Sequence, residues 1–186
     1  RATLAVQVLN IRPSISTVLR RFEVVKAQLS KEGLLDEARR RDLPTYPSAI
    51  AILTSVPSSA LADMLRTAKE RWPLTKVFLL PIPVQGDVEM QIQTALRRLA
   101  CCFKDLGIEA IVLARGGGSR EDLMVFDNEG LCRELAQFPV PVITGLGHED
   151  DLTVADLVAD HRSATPTAAI VDLLPSTELA NAACLQ

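Results

Sequence analysis

The chain has 186 residues, 48% of them apolar, and carries 20 Lys and Arg against 23 Asp and Glu for a formal net charge of −3. It is long enough to bury a sizeable core and has no apolar run long enough to cross a bilayer, so a soluble globular protein is expected. The slight acidic surplus argues against a general nucleic-acid binder, which usually shows a basic excess. The arginines nevertheless clump as Arg20-Arg21, Arg39-Arg40-Arg41, Arg97-Arg98 and Arg115 with Arg120. Most such clumps are solvated faces. Cys101, Cys102, Cys132 and Cys184 form no C-x-x-C pair and no disulfide framework, which fits a reducing compartment. The chain starts at Arg1 without a signal-like leader, and is expected to be a piece of a longer cytoplasmic protein.

In chain order, Leu4 to Ile11 alternates like a single strand, the trailing end of a preceding β domain, and Pro13 closes it. From Ser14 or Ser16 as N-cap, Ile15, Val18, Leu19, Phe22, Val25 and Leu29 recur at helical spacing until Gly33 supplies a stop. Leu34 to Tyr46 reads as a charged, Pro-punctuated linker. Ala49 to Leu53 is the first strand of the main domain, followed by a hydroxyl-rich turn over Thr54 to Ser59. A helix from about Ser59 to Arg71 turns Leu61, Met64, Leu65 and Ala68 to one face. Lys76 to Leu80 is a second strand, and Met90 to Phe103 an amphipathic helix with Ile92, Leu96 and Leu99 in register. Ala110 to Ala114 is a third strand, Asp127 to Gln137 a helix and Val140 to Thr144 a fourth strand. Leu152 to Ala159 reads as a further helix, and the Ala- and Leu-rich tail from Thr167 to Gln186 as the start of another.

Strands alternating with helices at these intervals imply an α/β fold, a mostly parallel sheet covered by helices on both faces. Ligands of such sheets bind at the carboxyl ends of the strands. The divisions expected are residues 1–12 as the remnant of a preceding domain, 13–46 as helix and linker, 47–170 as the α/β domain and 171–186 as the start of a helical extension.

The third strand runs into Arg115-Gly116-Gly117-Gly118-Ser119. Consecutive glycines let the backbone turn and aim successive N–H groups at one point. With an arginine at the lip and a helix behind, the stretch reads as an anion receptor, most naturally for phosphate; the bland alternative is a plain βα turn. It lacks the Gly-Lys-Ser/Thr of a P-loop. His148 follows the fourth strand in Gly147-His148-Glu149-Asp150-Asp151. Asp151 can orient the imidazole, making His148 an acid/base or nucleophilic group, or His148 is a turn residue bonded locally. Asp151 also suits an N-cap for the helix after it, and Asp63 suits a helical carboxylate placed for the dipole. His161 reads as structural. Glu149, Asp150, Asp151, Asp156 and Asp160 raise a metal site, but Asp156 and Asp160 are four apart and suit a solvated helix face. G-x-S-x-G is absent, which disfavours a serine hydrolase.

Taken together, Arg115-Gly116-Gly117-Gly118-Ser119, Glu121-Asp122-Leu123 with Phe126, Gly147-His148-Glu149-x-Asp151, Ala155-Asp156-x-Val158-Ala159-Asp160 and Arg162-x-x-Thr165-Pro166-x-Ala168-Ala169 resemble the exonuclease VII large-subunit family. Glu32-Gly33-Leu34-x-Asp36, Leu43-Pro44, Thr54-Ser55, Ala60-Leu61-x-Asp63 and Pro83-Val84-Gln85-Gly86 fit the same pattern, so the resemblance spans roughly Ile11 to Ala169. It departs at Asp150, where threonine is usual, and at Val56-Pro57-Ser58-Ser59, where the family loop contains Gly.

The resemblance implies a hydrolase that degrades single-stranded DNA to 5′-phosphate products without a divalent metal or other cofactor. It implies Asp63, Arg115, His148 and Asp151 as catalytic residues. Thr54, Ser55, Gly116, Gly117, Gly118, Ser119 and Arg162 are implied as substrate contacts. An N-terminal OB-fold, of which Leu4 to Ile11 resembles the last strand, and a helical extension recruiting several copies of a small subunit complete the family pattern. The rival readings are a catalytically inactive relative that binds single-stranded DNA or phosphate, and a small-molecule phosphate-ester enzyme on the same scaffold.

Overall fold

The computed structural model describes residues 15–83, 88–116, 120–147 and 151–177. The strand expected over Leu4 to Ile11 lies outside them.

The first helix, α1 (Ile15–Lys31), ends as the glycine predicts. Gly33 adopts φ 71°, and the amide of Leu34 donates back to the Leu29 carbonyl at 3.0 Å. Phe22, Val25 and Leu29 form the buried stripe; Leu19, about a quarter turn off that line, is exposed. Strand β1 (Ala49–Thr54) leads to α2 (Ser59–Arg71), whose N-cap Ser58 accepts from the Leu61 amide at 3.2 Å. Leu61, Met64 and Ala68 of α2 are buried, whereas Leu65 stands on the flank in solvent. Then come β2 (Lys76–Pro81), α3 (Val88–Cys102) and β3 (Ala110–Ala114). A short helix α4 (Arg120–Leu123) and a 3₁₀ turn precede α5 (Glu129–Ala136), and β4 (Val142–Gly145) follows.

Among the described residues five strands make one parallel sheet in the order β2-β1-β3-β4-β5, where β5 is His161–Arg162. This fifth strand is too short for periodicity to reveal. Parallel sheets need both faces covered, and β1 and β3 are accordingly buried along their whole length. One face carries Ala51, Leu53, Ile111, Leu113 and Val142 against Phe22, Ile92, Leu96 and Leu131. The other carries Ile50, Ile52, Val112 and Ile143 against Met64 and Ala68 of α2 and Ala169, Ile170 and Leu173 of α7 (Pro166–Leu173). The apolar tail thus begins as an integral layer of the sheet.

Two expectations are corrected near α6 (Val154–Val158). Asp151 is not its N-cap: Thr153 takes that position, and a reciprocal capping box joins its hydroxyl to the Asp156 amide and the Asp156 carboxylate to the Thr153 amide at 2.9 Å. Asp156 and Asp160 are not a solvated face either. The cap turns Asp156 inward, and the Asp160 carboxylate is almost wholly covered by Arg41. The Arg39-Arg40-Arg41 clump is likewise no simple solvated patch. Arg39 donates to the carbonyls of Leu34 and Ala136 at 2.6 Å each, and Arg41 pairs with Asp160, so the linker is fastened to the sheet.

Gly145 marks where β4 meets the start of α7. A Cβ there would lie 2.8 Å from the Thr165 carbonyl oxygen and 3.0 Å from Pro166 Cα, both backbone atoms that cannot swing aside. Gly145→Ala is therefore expected to destabilise the fold by about 1–3 kcal/mol in denaturant titrations. Gly130→Ala, which meets only side-chain atoms of Gln93 and Asn128, should cost less.

Candidate active site

After β2 the chain crosses back over β1, so the loops following β1 and β3 diverge at their carboxyl ends. That crevice is where open parallel sheets hold ligands. Ser55, just past β1, and Arg115, just past β3, both line a hollow of about 80 Å³ there. Ile82 and Pro83 from the end of β2, Val88 from α3, and Asp122, Val125 and Phe126 from the segment after the glycines complete it.

The Arg115 amide donates to the Gly145 carbonyl at 3.2 Å, joining the ends of β3 and β4. Its guanidinium is mostly buried; Nη1 donates to the Asp122 carbonyl, and Nη2 stands 3.9 Å from the Asp122 carboxylate. The carboxylate found on Arg115 is thus that of Asp122, a residue whose role sequence reasoning did not single out. The signal available was an aspartate seven residues on, in the segment that follows the glycines.

The expected site residues fall into three groups. Ser55 and Arg115 share the hollow. Gly116 packs on the start of α2, where a Cβ would meet Ala60 Cβ at 3.2 Å, one turn ahead of Asp63. Asp63 itself is half-exposed and bonds Arg66 at 2.7 Å. Asp151 lies against the end of the β4 loop: a Cβ on Gly147 would stand 3.0 Å from Asp151 Cβ and 3.2 Å from Leu123 Cδ1. Asp151 is therefore close to α4, the helix that carries Asp122. Arg162 extends β5 beside Thr144, on the adjoining strand. Thr54 ends β1 with its hydroxyl buried and without a hydrogen-bond partner among the described residues. Thr144 is buried and unpartnered in the same way. His148, Gly117, Gly118 and Ser119 lie outside the described residues.

Other polar groups near this edge hold the fold. Asp127 is fully buried and accepts from the Val154 amide at 2.8 Å. Burial first, then the charges of Asp127 and Asp156, pushes the Cys132 thiol well above its ordinary value, so this cysteine is a core residue rather than a nucleophile. His161 Nε2 lies 3.1 Å from Asp172 Oδ2, which also accepts from Ser163 Oγ at 2.6 Å, so His161 ties β5 to α7 as a structural residue. Among the described residues no three His, Cys, Asp or Glu side chains gather as ligands for a metal ion, and no helix is long and apolar enough to cross a membrane.

An arginine at a strand's carboxyl end beside a hydroxyl can bind an oxyanion by charge-assisted hydrogen bonds. Comparison with known proteins gives that chemistry a context. The family model described as "Exonuclease VII, large subunit" matches residues 34–185. Proteins named exodeoxyribonuclease 7 large subunit from Synechococcus sp. (strain CC9311) and Parasynechococcus marenigrum (strain WH8102) are 68% and 69% identical over 180 residues, 97% of this chain and 46% of each relative. One of the same name from Legionella pneumophila (strain Paris) is 39% identical over 166 residues, 89% of this chain and 37% of that relative. The chain spans about half the length of the two Synechococcus and Parasynechococcus relatives it matches.

Proposed function

The chain belongs to the exonuclease VII large-subunit family, and from that premise we propose that it is the catalytic portion of an exodeoxyribonuclease that hydrolyses single-stranded DNA in the cytoplasm. The observation that carries the reading is Arg115, set with Ser55 in the crevice between β1 and β3.

In this mechanism the scissile phosphodiester lies over the Arg115–Ser119 loop. Arg115 and the loop N–H groups neutralise the charge that gathers on the non-bridging oxygens, the role a metal ion fills elsewhere. Ser55 and Arg162 flank the strand of substrate, whereas Thr54, expected beside them, is fully buried at the end of β1. His148 acts at phosphorus or on the attacking water, with Asp151 setting its tautomer, and Asp63 serves as a second proton carrier. Water's oxygen joins phosphorus and the P–O3′ bond breaks. The water proton passes to the leaving 3′ oxygen, giving a 5′-phosphate and a 3′-hydroxyl. The whole protein works with several copies of a small subunit, and no metal or other cofactor takes part.

The test is degradation of end-labelled single-stranded DNA by the full-length protein with its small subunit in excess EDTA. Sustained release of 5′-phosphate products is expected. Activity that vanishes with chelation and returns with a divalent ion would overturn the metal-independent mechanism. Tight binding without degradation under either condition would make the protein an inactive DNA-binding relative.

A further inference from the structure

We infer that the apolar lining of the hollow beside Arg115 receives a nucleobase turned out of its stack, while the guanidinium holds the adjoining phosphate; the inference rests on the nuclease reading above. The hollow's lining has two chemical characters: Ser55, Arg115 and Asp122 are polar, and Ile82, Pro83, Val88, Val125 and Phe126 are apolar. Phe126 and Ile82 are buried, whereas Pro83, Val88 and Val125 remain partly open, so their carbon surface is what a ligand would cover.

A phosphate alone has no use for such carbon surface. A nucleotide unit does, because its base presents an apolar face next to an anionic linkage. Carbon surface offers no hydrogen-bond pattern to read a base edge, yet every base has a face to lay against it. The hollow therefore accepts any base. In a duplex, base faces are stacked and edges paired, so extruding one carries a cost that a single strand largely escapes. Selectivity for single strands without sequence preference follows from the lining itself. The size agrees: at about 80 Å³ the hollow is well below the roughly 300–1,000 Å³ of a site that encloses a whole small ligand. It admits one group of a polymer held elsewhere along its length. An apolar side chain of a partner protein fits less well, since the cores of protein interfaces are depleted of charged residues such as those in this lining.

The experiment compares labelled oligodeoxythymidylate with the same backbone carrying abasic tetrahydrofuran units, using the full-length protein with its small subunit. Wild type is expected to lose about tenfold in kcat/KM on the abasic strand, the size of one base contact, mainly through KM. Val125→Ser and Val88→Ser, both at partly open positions, should lower kcat/KM on the normal strand by a similar factor and add little on the abasic one. Equal wild-type rates on the two strands would overturn the base site, as would variants that slow both strands equally. Failure to degrade either strand counts against the nuclease reading instead. In that case fluorescence anisotropy of wild type and Val125→Ser with the same two oligonucleotides decides the base site: a variant that weakens binding of the normal strand alone supports it, and one that leaves both affinities unchanged or lowers them equally overturns it.

Discussion

Replacing Arg115 with alanine in the full complex is expected to slow degradation of single-stranded DNA by about 10²–10³, the usual loss for one donor aimed at a developing oxyanion. The guanidinium is already oriented: Asp122 fastens it through its carbonyl, and its own amide is anchored to Gly145. Little reorganisation is then required when charge builds on the phosphate. Lysine should restore only part of the rate, because a point charge cannot reproduce the planar fork that contacts the Asp122 carbonyl and a phosphate oxygen together. Since the side chain is not part of the apolar core, the variant should keep its far-UV circular dichroism and melting point. His148→Ala is expected to cost about 10²–10⁴ by loss of acid/base or nucleophilic assistance. Wild-type rates for Arg115→Ala, measured as initial release of labelled product, would remove the phosphate-binding role on which the mechanism depends.

The largest expected effect on stability is at Arg41, far from the chemistry. Its amide and guanidinium give Asp160 three hydrogen bonds of 2.7–3.0 Å, and the Val142 amide adds one at 2.7 Å. Another guanidinium N–H reaches the Phe138 carbonyl. The Asp160 side chain is only 5% exposed. Arg41→Ala removes both guanidinium donors and leaves that carboxylate buried without its counter-charge, held only by the backbone amides of residue 41 and Val142, at a cost of about 3–5 kcal/mol. Removing both charges while keeping an acceptor for the Val142 and residue-41 amides, with Arg41→Gln and Asp160→Asn, should recover part of the loss, and a double-mutant cycle by urea titration would measure the coupling. The pair also carries a pH signature. Burial alone would raise the Asp160 carboxyl, but hydrogen bonds from the Arg41 side chain and from the Val142 and Arg41 amides outweigh it and hold the group below its ordinary 3.8. A carboxyl depressed in the folded state stabilises above its unfolded value and loses that contribution as pH falls through the folded one. The acid limb of the stability profile should therefore be shallower in the double variant.

Local pattern and tertiary assembly divide the account of this protein unevenly. The alternation of apolar runs with helical stripes was enough to place β1, α2, β2, α3 and β3 within a residue or two, because each buries one face or both and advertises it at period two or 3.6. Gly33 announced the end of α1 in the same local way. The motifs around Arg115 pointed to a phosphate-handling edge and to a family. Sequence was silent or misleading wherever a side chain answers to a distant partner. Asp156 and Asp160 looked like a wet helical face; Asp156 is instead bound to Thr153 three residues before it, a local capping signal that the charge pattern masked, and Asp160 became part of a buried ion pair only when Arg41 arrived from far along the chain. Asp122 sits on Arg115 from only seven residues away, but Ser55, Val88 and Val125 could be placed around one hollow with Arg115 only after the strand order β2-β1-β3 had brought separate segments to one crevice. Periodicity encodes which residues leave water, since that is a property of neighbours along the chain. Which buried group meets which charge depends on the order in which the strands associate, and that order is a property of the whole sheet.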